Sequence, residues 1–325
     1  RALLLSVILI DSLLVPVATS AANPINACVA YDLGGPGDRS YNDAVLAGLV
    51  KAKKKLNFSY EGIITDGSAA DREKRIRAMI AKGCSPILAI GSGYANLISN
   101  LAMEFPTQQF SILNDASVAS LNVTSLIFND KQVGYLAGAA AARVSKAGKI
   151  ALISNSTNLD LETGFRLGAN AVKKKVKLTV KNATTGLTDV TKGLIAEGND
   201  VIFVAVPGSI NEIFSVIVQF NETKKKSAAE VGVISIEPDQ YLTVTSTNQK
   251  YLLGAISKRV DKVILDLVTS AIRDQQISDI LDPDLGIYGR SYGITGGHIE
   301  LSIWSAKLKA LKAAIGTASR AAAKL

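Results

Sequence analysis

Apolar residues recur along this chain in two alternating rhythms. Short runs such as Ile87 to Ile90, Phe110 to Leu113 and Val201 to Val206 are almost continuously apolar, as strands buried on both faces must be. Between them lie longer stretches whose apolar positions return every three or four residues. In Ser40 to Leu56 the stripe is Tyr41, Val45, Leu49 and Ala52, with Ser40 placed to cap it. In Ala69 to Lys82, Ile76, Met79 and Ile80 face inward, and Arg72, Glu73, Lys74 and Arg75 mostly outward. The first series predicts strands over Ala27–Leu33, Phe58–Ile64, Ile87–Ile90, Phe110–Leu113 and Ser125–Phe128, with helices over Ser40–Leu56, Ala69–Lys82 and Tyr94–Phe105. The rhythm then restarts. Helices are expected over Lys131–Ser145, Glu162–Lys174, Val190–Glu197, Ile210–Phe220 and Arg259–Arg273. Strands are expected over Ile150–Ile153, Leu178–Lys181, Val201–Val206, Val231–Ile236 and Tyr251–Ile256.

Strands alternating with helices make parallel sheets with right-handed crossovers. Two series of similar size predict an α/β protein of two Rossmann-like lobes. The expected first lobe is 24–129 with about 257–282, and the second is 130–256 with about 283–300. Residues 301–325 read as a C-terminal helix assigned to neither lobe. The chain is expected to cross between lobes near Asn129-Asp130 and near Lys258. Ligands of such sheets bind beyond the carboxyl ends of the strands. The informative segments are therefore Asp32 to Asn42, Gly91 to Tyr94, Asn114-Asp115, Asn129, Ser154-Asn155, Pro207 to Ser209, Glu237 to Asp239 and Ser257-Lys258.

Composition narrows the picture. The 325 residues are 48% hydrophobic but only 6% aromatic, so the core is aliphatic. Net charge is +8. The lysine clusters at 51–55, 173–177 and 224–226 close or follow predicted helices, where cations suit the helix dipole; the alternative is a basic contact surface. Nothing in their spacing resembles a nucleic-acid motif. Ala2 to Val17 is apolar and is followed by Ala18-Thr19-Ser20-Ala21-Ala22, so 1–22 reads as the remnant of an export signal; a buried N-terminal helix is the other reading. Cys28 and Cys84 each begin a predicted strand. They are either a disulfide, if those strands are neighbours, or two buried thiols. With His298 as the lone histidine they make no metal site by themselves.

An enzyme finds little support. Gly148-Lys149 is followed by Ile150 rather than Ser or Thr, and there is no Gly-x-Ser-x-Gly elbow. No cofactor is expected. A ligand-sensing regulator would want a helix-turn-helix, and none is visible. A surface protein that binds polyanions through its basic exterior remains a further class.

The motifs also resemble a known family. Gly35-Pro36-Gly37-Asp38-Arg39-Ser40-Tyr41-Asn42 is similar to the first-strand motif Gly-x-x-Asp-Lys-Ser-Phe-Asn of the basic membrane protein family of ABC-transporter substrate-binding proteins, of the purine nucleoside receptor A type. Phe110 to Asp115, Gly134 to Gly138, Gly164 to Ala169, Asn199 to Phe203 and Ser257 to Asp261 match further family motifs in order. The resemblance runs from about Cys28 to Gly297. It implies the type I periplasmic-binding-protein architecture with hinge crossovers, and a monomer that hands a purine nucleoside to a permease and its ATPase outside the cytoplasm. It implies that Tyr41 stacks on the base, with Asp38, Asn42 and Asp115 at the base edge. Gly208, Glu237 and Lys258 would take the sugar, and Lys258 would pair with Glu237. Glu237 replaces the family's usual aspartate, so Asp239 is an alternative. Leu187 stands where the family has a second stacking aromatic. Taken without the resemblance, Tyr41 could equally pack in the core, Asp38 cap a helix and Asp115 shape a turn. Lys258 opens a helix against the dipole, which favours a ligand or an ion pair.

Overall fold

The computed structural model describes residues 25–38, 40–155, 159–172, 175–206, 210–225, 227–236 and 245–325. The expected export signal lies outside them. The first sheet contains β1 (Asn26–Tyr31), β2 (Ser59–Ile64), β3 (Ile87–Ile90), β4 (Phe110–Leu113) and β5 (Val123–Phe128), side by side in the order β2-β1-β3-β4-β5 and all parallel. The second contains β6 (Lys149–Ser154), β7 (Lys177–Asn182), β8 (Val201–Ala205), β9 (Gly232–Ile236) and β10 (Leu252–Lys258), in the order β7-β6-β8-β9-β10 and again parallel. The two halves thus repeat one strand order.

Three later strands go beyond the expected rhythm. β11 (Asp279–Asp282) pairs antiparallel with β12 (Ile287–Tyr292), and β12 pairs parallel with β5. β13 (Ile299–Ile303) closes the second sheet antiparallel to β10. The expectation that about 283–300 belongs to the second lobe is therefore corrected: β12 extends the first sheet, and only β13 joins the second. These strands carry Arg290, Glu300 and several half-exposed positions, so they lack the apolar runs that betray buried strands.

The helices are α1 (Tyr41–Lys53), α2 (Ala69–Ala81), α3 (Ala95–Glu104), α4 (Asp130–Val144), α5 (Leu159–Asn170), α6 (Leu187–Ala196), α7 (Asn211–Thr223), α8 (Ser246–Gln249), α9 (Val260–Ile272), α10 (Ala306–Lys309) and α11 (Lys312–Ala322). They cover the sheets so that successive strand residues enter different cores. Ala27, Val29 and Tyr31 of β1 join one cluster, and Cys28 and Ala30 another. Val201 and Phe203 of β8 likewise part from Ile202 and Val204. α11 packs on α4, a helix that covers the second sheet. Of the two readings of the cysteines, the structure has the disulfide: Cys28 of β1 is joined to Cys84, which precedes β3, its neighbour.

α4 and α5 lie in backbone contact. A Cβ on Gly134 or Gly138 would lie 2.1 Å from the carbonyl oxygen of Leu161 or Phe165, and one on Gly164 or Gly168 would lie 2.0 Å from that of Lys131 or Tyr135. Each helix thus offers a Gly-x-x-x-Gly stripe to the other. Close approach gains dispersion contact and brings Cα–H groups to the facing carbonyls.

The chain crosses between the sheets three times: between β5 and α4, between β10 and α9, and between β12 and β13. The crossings are tied to one another. Asn129 donates its N–H to the Tyr292 carbonyl (2.9 Å), and Ile294 donates to Gln132 Oε1 (2.7 Å). Arg259 donates its N–H to the His298 carbonyl (2.8 Å), and Lys262 Nζ reaches the Gly297 carbonyl (2.7 Å). A chain of ion pairs runs alongside, from Lys51 of α1 to Asp261 of α9 (2.9 Å), on to Arg259 (2.9 Å) and then to Glu300 of β13 (3.1 Å).

Two predictions follow from this packing. Gly168→Ala must push α4 and α5 apart, and is expected to lower stability by about 1–3 kcal/mol in urea unfolding; unchanged stability would mean that the helices separate freely. The second concerns acid. Burial raises the Asp261 carboxyl, but hydrogen bonds from Arg259 and Lys51 outweigh it and hold the group at about 2, below its ordinary 3.8. A depressed carboxyl stabilises the fold above its unfolded pKa and loses that contribution as pH falls toward its folded one, here up to about 2 kcal/mol between about pH 4 and 2. Asp261→Asn should therefore be less stable at neutral pH and lose less stability across that window. Parallel acid-unfolding curves for the two proteins would contradict this.

Candidate ligand-binding cleft

The carboxyl end of β1 feeds a tight loop into α1, and Asp38 shapes it. Its carboxylate accepts N–H groups from Ser40 (2.8 Å), Asn42 (3.2 Å) and Asp43 (3.2 Å). Asn42 is buried; its Oδ1 accepts from the Asp32 N–H (3.2 Å) and its Nδ2 donates to the Leu33 carbonyl (3.3 Å). Both side chains thus hold the loop. Tyr41, the first residue of α1, is half-buried and packs against the main core. On the same edge, Asp115 follows Asn114, whose φ is 63°. Asp115 Oδ1 accepts the Ser117 N–H (2.9 Å) and hydroxyl (2.6 Å), an Asx turn. Its Oδ2 has no hydrogen bond among the described residues.

On this edge Asp32 and Tyr94, both within the expected strand-end segments, meet a residue that was not anticipated, Arg72. Asp32, the residue after β1, receives Arg72 Nη2 on its Oδ1 at 3.1 Å, and its side chain keeps 39% of its surface exposed. The Arg72 guanidinium lies over the Tyr94 ring, 5.1 Å from its centroid. Tyr94 is fully buried and donates its hydroxyl to the Tyr31 carbonyl at 2.8 Å. Burial pushes that hydroxyl up to about 12, so it stays a neutral donor. The cluster sits where β1 parts β2 from β3, the switch point of the sheet. Sequence periodicity sets Arg72 on the outer face of a helix, which hides its reach to Asp32.

Lys258 is the last residue of β10 and only 5% exposed. Its Nζ lies 2.9 Å from Asp130 Oδ1 and 5.6 Å from the centroid of the Phe128 ring. The first two crossings are thereby joined through a buried ammonium. Asp130 gives no such signal in sequence, because an acid opening a helix suits the dipole without further purpose. The partner expected for Lys258, Glu237, lies outside the described residues, as do Gly208 and Asp239. Leu187 is described: it opens α6 at 3% exposure and packs with Ile153, Leu194 and Ile210 in the second-lobe core. The left-handed Gly186 before it (φ 63°) starts the helix there. The structure thus brings Leu187 into the core, apart from the residues of the first-sheet edge.

Two cavities flank the Lys258 pair. One of about 410 Å³ lies between α1 and the β10–β13 ladder, lined by Ala44, Ala47, Ser257, Lys258, Ser302 and Trp304 among others. The other, of about 500 Å³, is lined by Asn114, Asp115, Phe128, Asp130, Lys131 and Asp160 among others. Lys258 faces the first, while its partners Asp130 and Phe128 line the second. Carboxylates there can accept N–H or O–H donors, and the ammonium can donate. His298 sits in the third crossing, its Nε2 3.4 Å from Asp266 and its ring 4.7 Å from that of Tyr292. None of the described helices is long and apolar enough to cross a membrane.

Known proteins resemble this chain in sequence and fold. The chain is 27% identical over 263 residues to the ABC transporter nucleoside-binding protein BmpA of Lactococcus lactis, covering 75% of this chain and 74% of that one. A solved transcriptional activator of the comK gene from Bacillus halodurans superposes with a TM-score of 0.69 at 19% identity, covering 91% of this chain and 98% of that one. An ABC transporter solute-binding protein from Aeropyrum pernix superposes at 0.66 and 17% identity, covering 92% and 85%. At such identities the two structures speak for the fold alone, a two-lobed type I solute-binding architecture. The family profile described as ABC transporter substrate-binding protein, PnrA-like, matches residues 26–287, and the chain belongs to that family.

Proposed function

We propose that the protein is the extracytoplasmic receptor of an ABC importer, that it captures a purine nucleoside between its lobes without chemical change, and that it acts as a monomer delivering to a permease and its ATPase. The observation that carries this reading is the meeting of a buried ammonium, Lys258, with the carboxylate-bearing edge of the first sheet, in a chain of the PnrA-like family. The nucleoside-binding name of the Lactococcus relative supports the ligand class. Tyr41 offers a ring face to the base. The open oxygens of Asp115 and Asp32 are acceptors for base N–H groups. Asp38 and Asn42 act by holding the loop that presents Tyr41, while Leu187 supports α6 from within. Lys258 donates to the ribose, whose hydroxyls fall to Glu237 or Asp239, with Gly208 giving the sugar room.

Calorimetric titration of the protein, stripped of carried-over ligand, tests this. Adenosine, guanosine and inosine should bind, with free ribose and adenine silent. Lys258→Ala and Glu237→Ala should each weaken binding by ~1.5–3 kcal/mol, the range for losing a hydrogen bond to a charged group. Unchanged affinity in both variants would remove the sugar site, and silence toward every nucleoside would remove the ligand class.

A further inference from the structure

The disulfide has a charged neighbour that cross-linking does not require. Cys28 of β1 and Cys84, just before β3, are fully buried. The β1–β2 register sets Glu61 of β2 beside Cys28, and Glu61 Oε1 lies 3.6 Å from each of the two sulfurs. Disulfide sulfurs carry no hydrogen, so neither contact is a hydrogen bond. Glu61 Oε2 instead accepts Lys82 Nζ at 2.7 Å, and that bond is the foremost reason why the carboxyl is held below its ordinary pKa. Asn26 Nδ2 reaches Glu61 Oε1 at 3.4 Å. The side chains of Glu61 and Lys82 keep 33% and 54% of their surface exposed, so the cluster opens to solvent through them. It stands toward the amino ends of the first-sheet strands, whereas the candidate cleft lies at their carboxyl ends.

We infer that Cys28, Cys84 and Glu61 form a metal site once the disulfide is reduced, that the site takes a borderline-soft divalent cation of the zinc class, and that the metal then holds together what the disulfide held. Sequence offers two cysteines and a distant histidine; the strand register supplies Glu61 as the third ligand. The three ligand atoms lie within 4.8 Å of one another. Zinc keeps thiolate sulfur at about 2.3 Å and carboxylate oxygen at about 2.0–2.2 Å, so tetrahedral ligation sets the sulfurs somewhat under about 4 Å apart. Cα atoms 5.6 Å apart leave room for that by side-chain rotation. Reduction by a dithiol delivers two electrons and two protons to the sulfurs, and the reductant closes to its own disulfide. Metal binding then displaces the two thiol protons to solvent. A divalent cation balances the three anionic ligands against the Lys82 ammonium, and water completes the coordination from the open side. Thiolate ligands favour zinc or cadmium over magnesium or calcium. The reduced state is the one a chain holds before it reaches an oxidising compartment, so metal and disulfide would staple β1 to the β3 side in succession.

The experiment uses the full chain, reduced with a phosphine under nitrogen, freed of reductant and titrated with cobalt(II) alone. One equivalent should bind and give a thiolate-to-cobalt charge-transfer band that the oxidised protein does not show. Zinc should displace the cobalt, and magnesium should not. Zinc should also raise the thermal midpoint of the reduced chain and slow its reoxidation by a small disulfide. Glu61→Gln keeps both cysteines and should weaken cobalt binding at least about ten-fold, the lower bound for removing even a group that supports a ligand. Where Glu61→Gln does not fold by circular dichroism, Cys84→Ser decides, because loss of one thiolate should abolish the band. A folded reduced chain with no cobalt band, or a folded variant that binds cobalt as the reduced wild type does, overturns the inference. So does a reduced chain that loses its circular-dichroism signal and does not regain it with zinc. None of these results bears on nucleoside binding by the oxidised protein, which is measured separately.

Discussion

The backbone N–H groups of Asn129, Arg259 and Ile294 are each spent on a neighbouring crossing rather than on their own segment. Three strands of chain that pass between two lobes would be loose connectors if solvated separately. Hydrogen-bonded to one another, and pinned by the Lys258–Asp130 pair, they form one compact joint. Everything in the cleft depends on it, because residues from opposite sheets meet there only if the joint fixes their relative position. The ion-pair chain from Lys51 to Glu300 adds a second, more exposed tie on the α1 side. Hinge closure of the kind two-lobed binders use would be concentrated in these few residues, since the sheets and the α4–α5 pair are tightly packed on either side.

Much of the architecture was legible in the sequence, for a plain reason. Strands such as Ile87–Ile90 and Val201–Ala205 are buried on both faces, so they appear as apolar runs. Amphipathic helices between them leave few alternatives to two parallel sheets. β11, β12 and β13 were not legible, because half-exposed strands with charged residues resemble loops. The site was legible in outline only. Lys258 drew attention by opposing the helix dipole, and it proved to be buried and ion-paired. Asp38 carries both a family motif and a capping pattern, and the structure uses it as the cap. Leu187 fell at a family aromatic position, but its local setting, a helix start over an apolar core, draws it inward. Arg72 and Asp130 were missed because their partners are distant in sequence, Asp32 by 40 residues and Lys258 by 128.

The same scaffold serves a solute-binding protein from Aeropyrum and a transcriptional activator from Bacillus halodurans with nearly equal fidelity. Backbone geometry therefore does not separate a solute-binding protein from a transcriptional activator. The distinction rests on what lines the cleft and what the lobes present outward. Among the described residues of this chain the edge keeps Asp115 and Asp160, with Lys131 beside them, outside its ion pairs, while the molecule as a whole is basic at +8, a distribution of charge that the strand order does not require.

The order of the strands in space has a consequence for biosynthesis. β12 pairs with β5 in the first sheet, yet more than 150 residues separate them in sequence, and most of the second lobe is threaded between. While the chain emerges from the ribosome, the β5 edge stands open, an unpaired apolar ladder of the kind that invites aggregation. The amino-terminal half cannot mature first and wait for the other. A chain of this topology keeps that edge unpaired until nearly its last strand has been made.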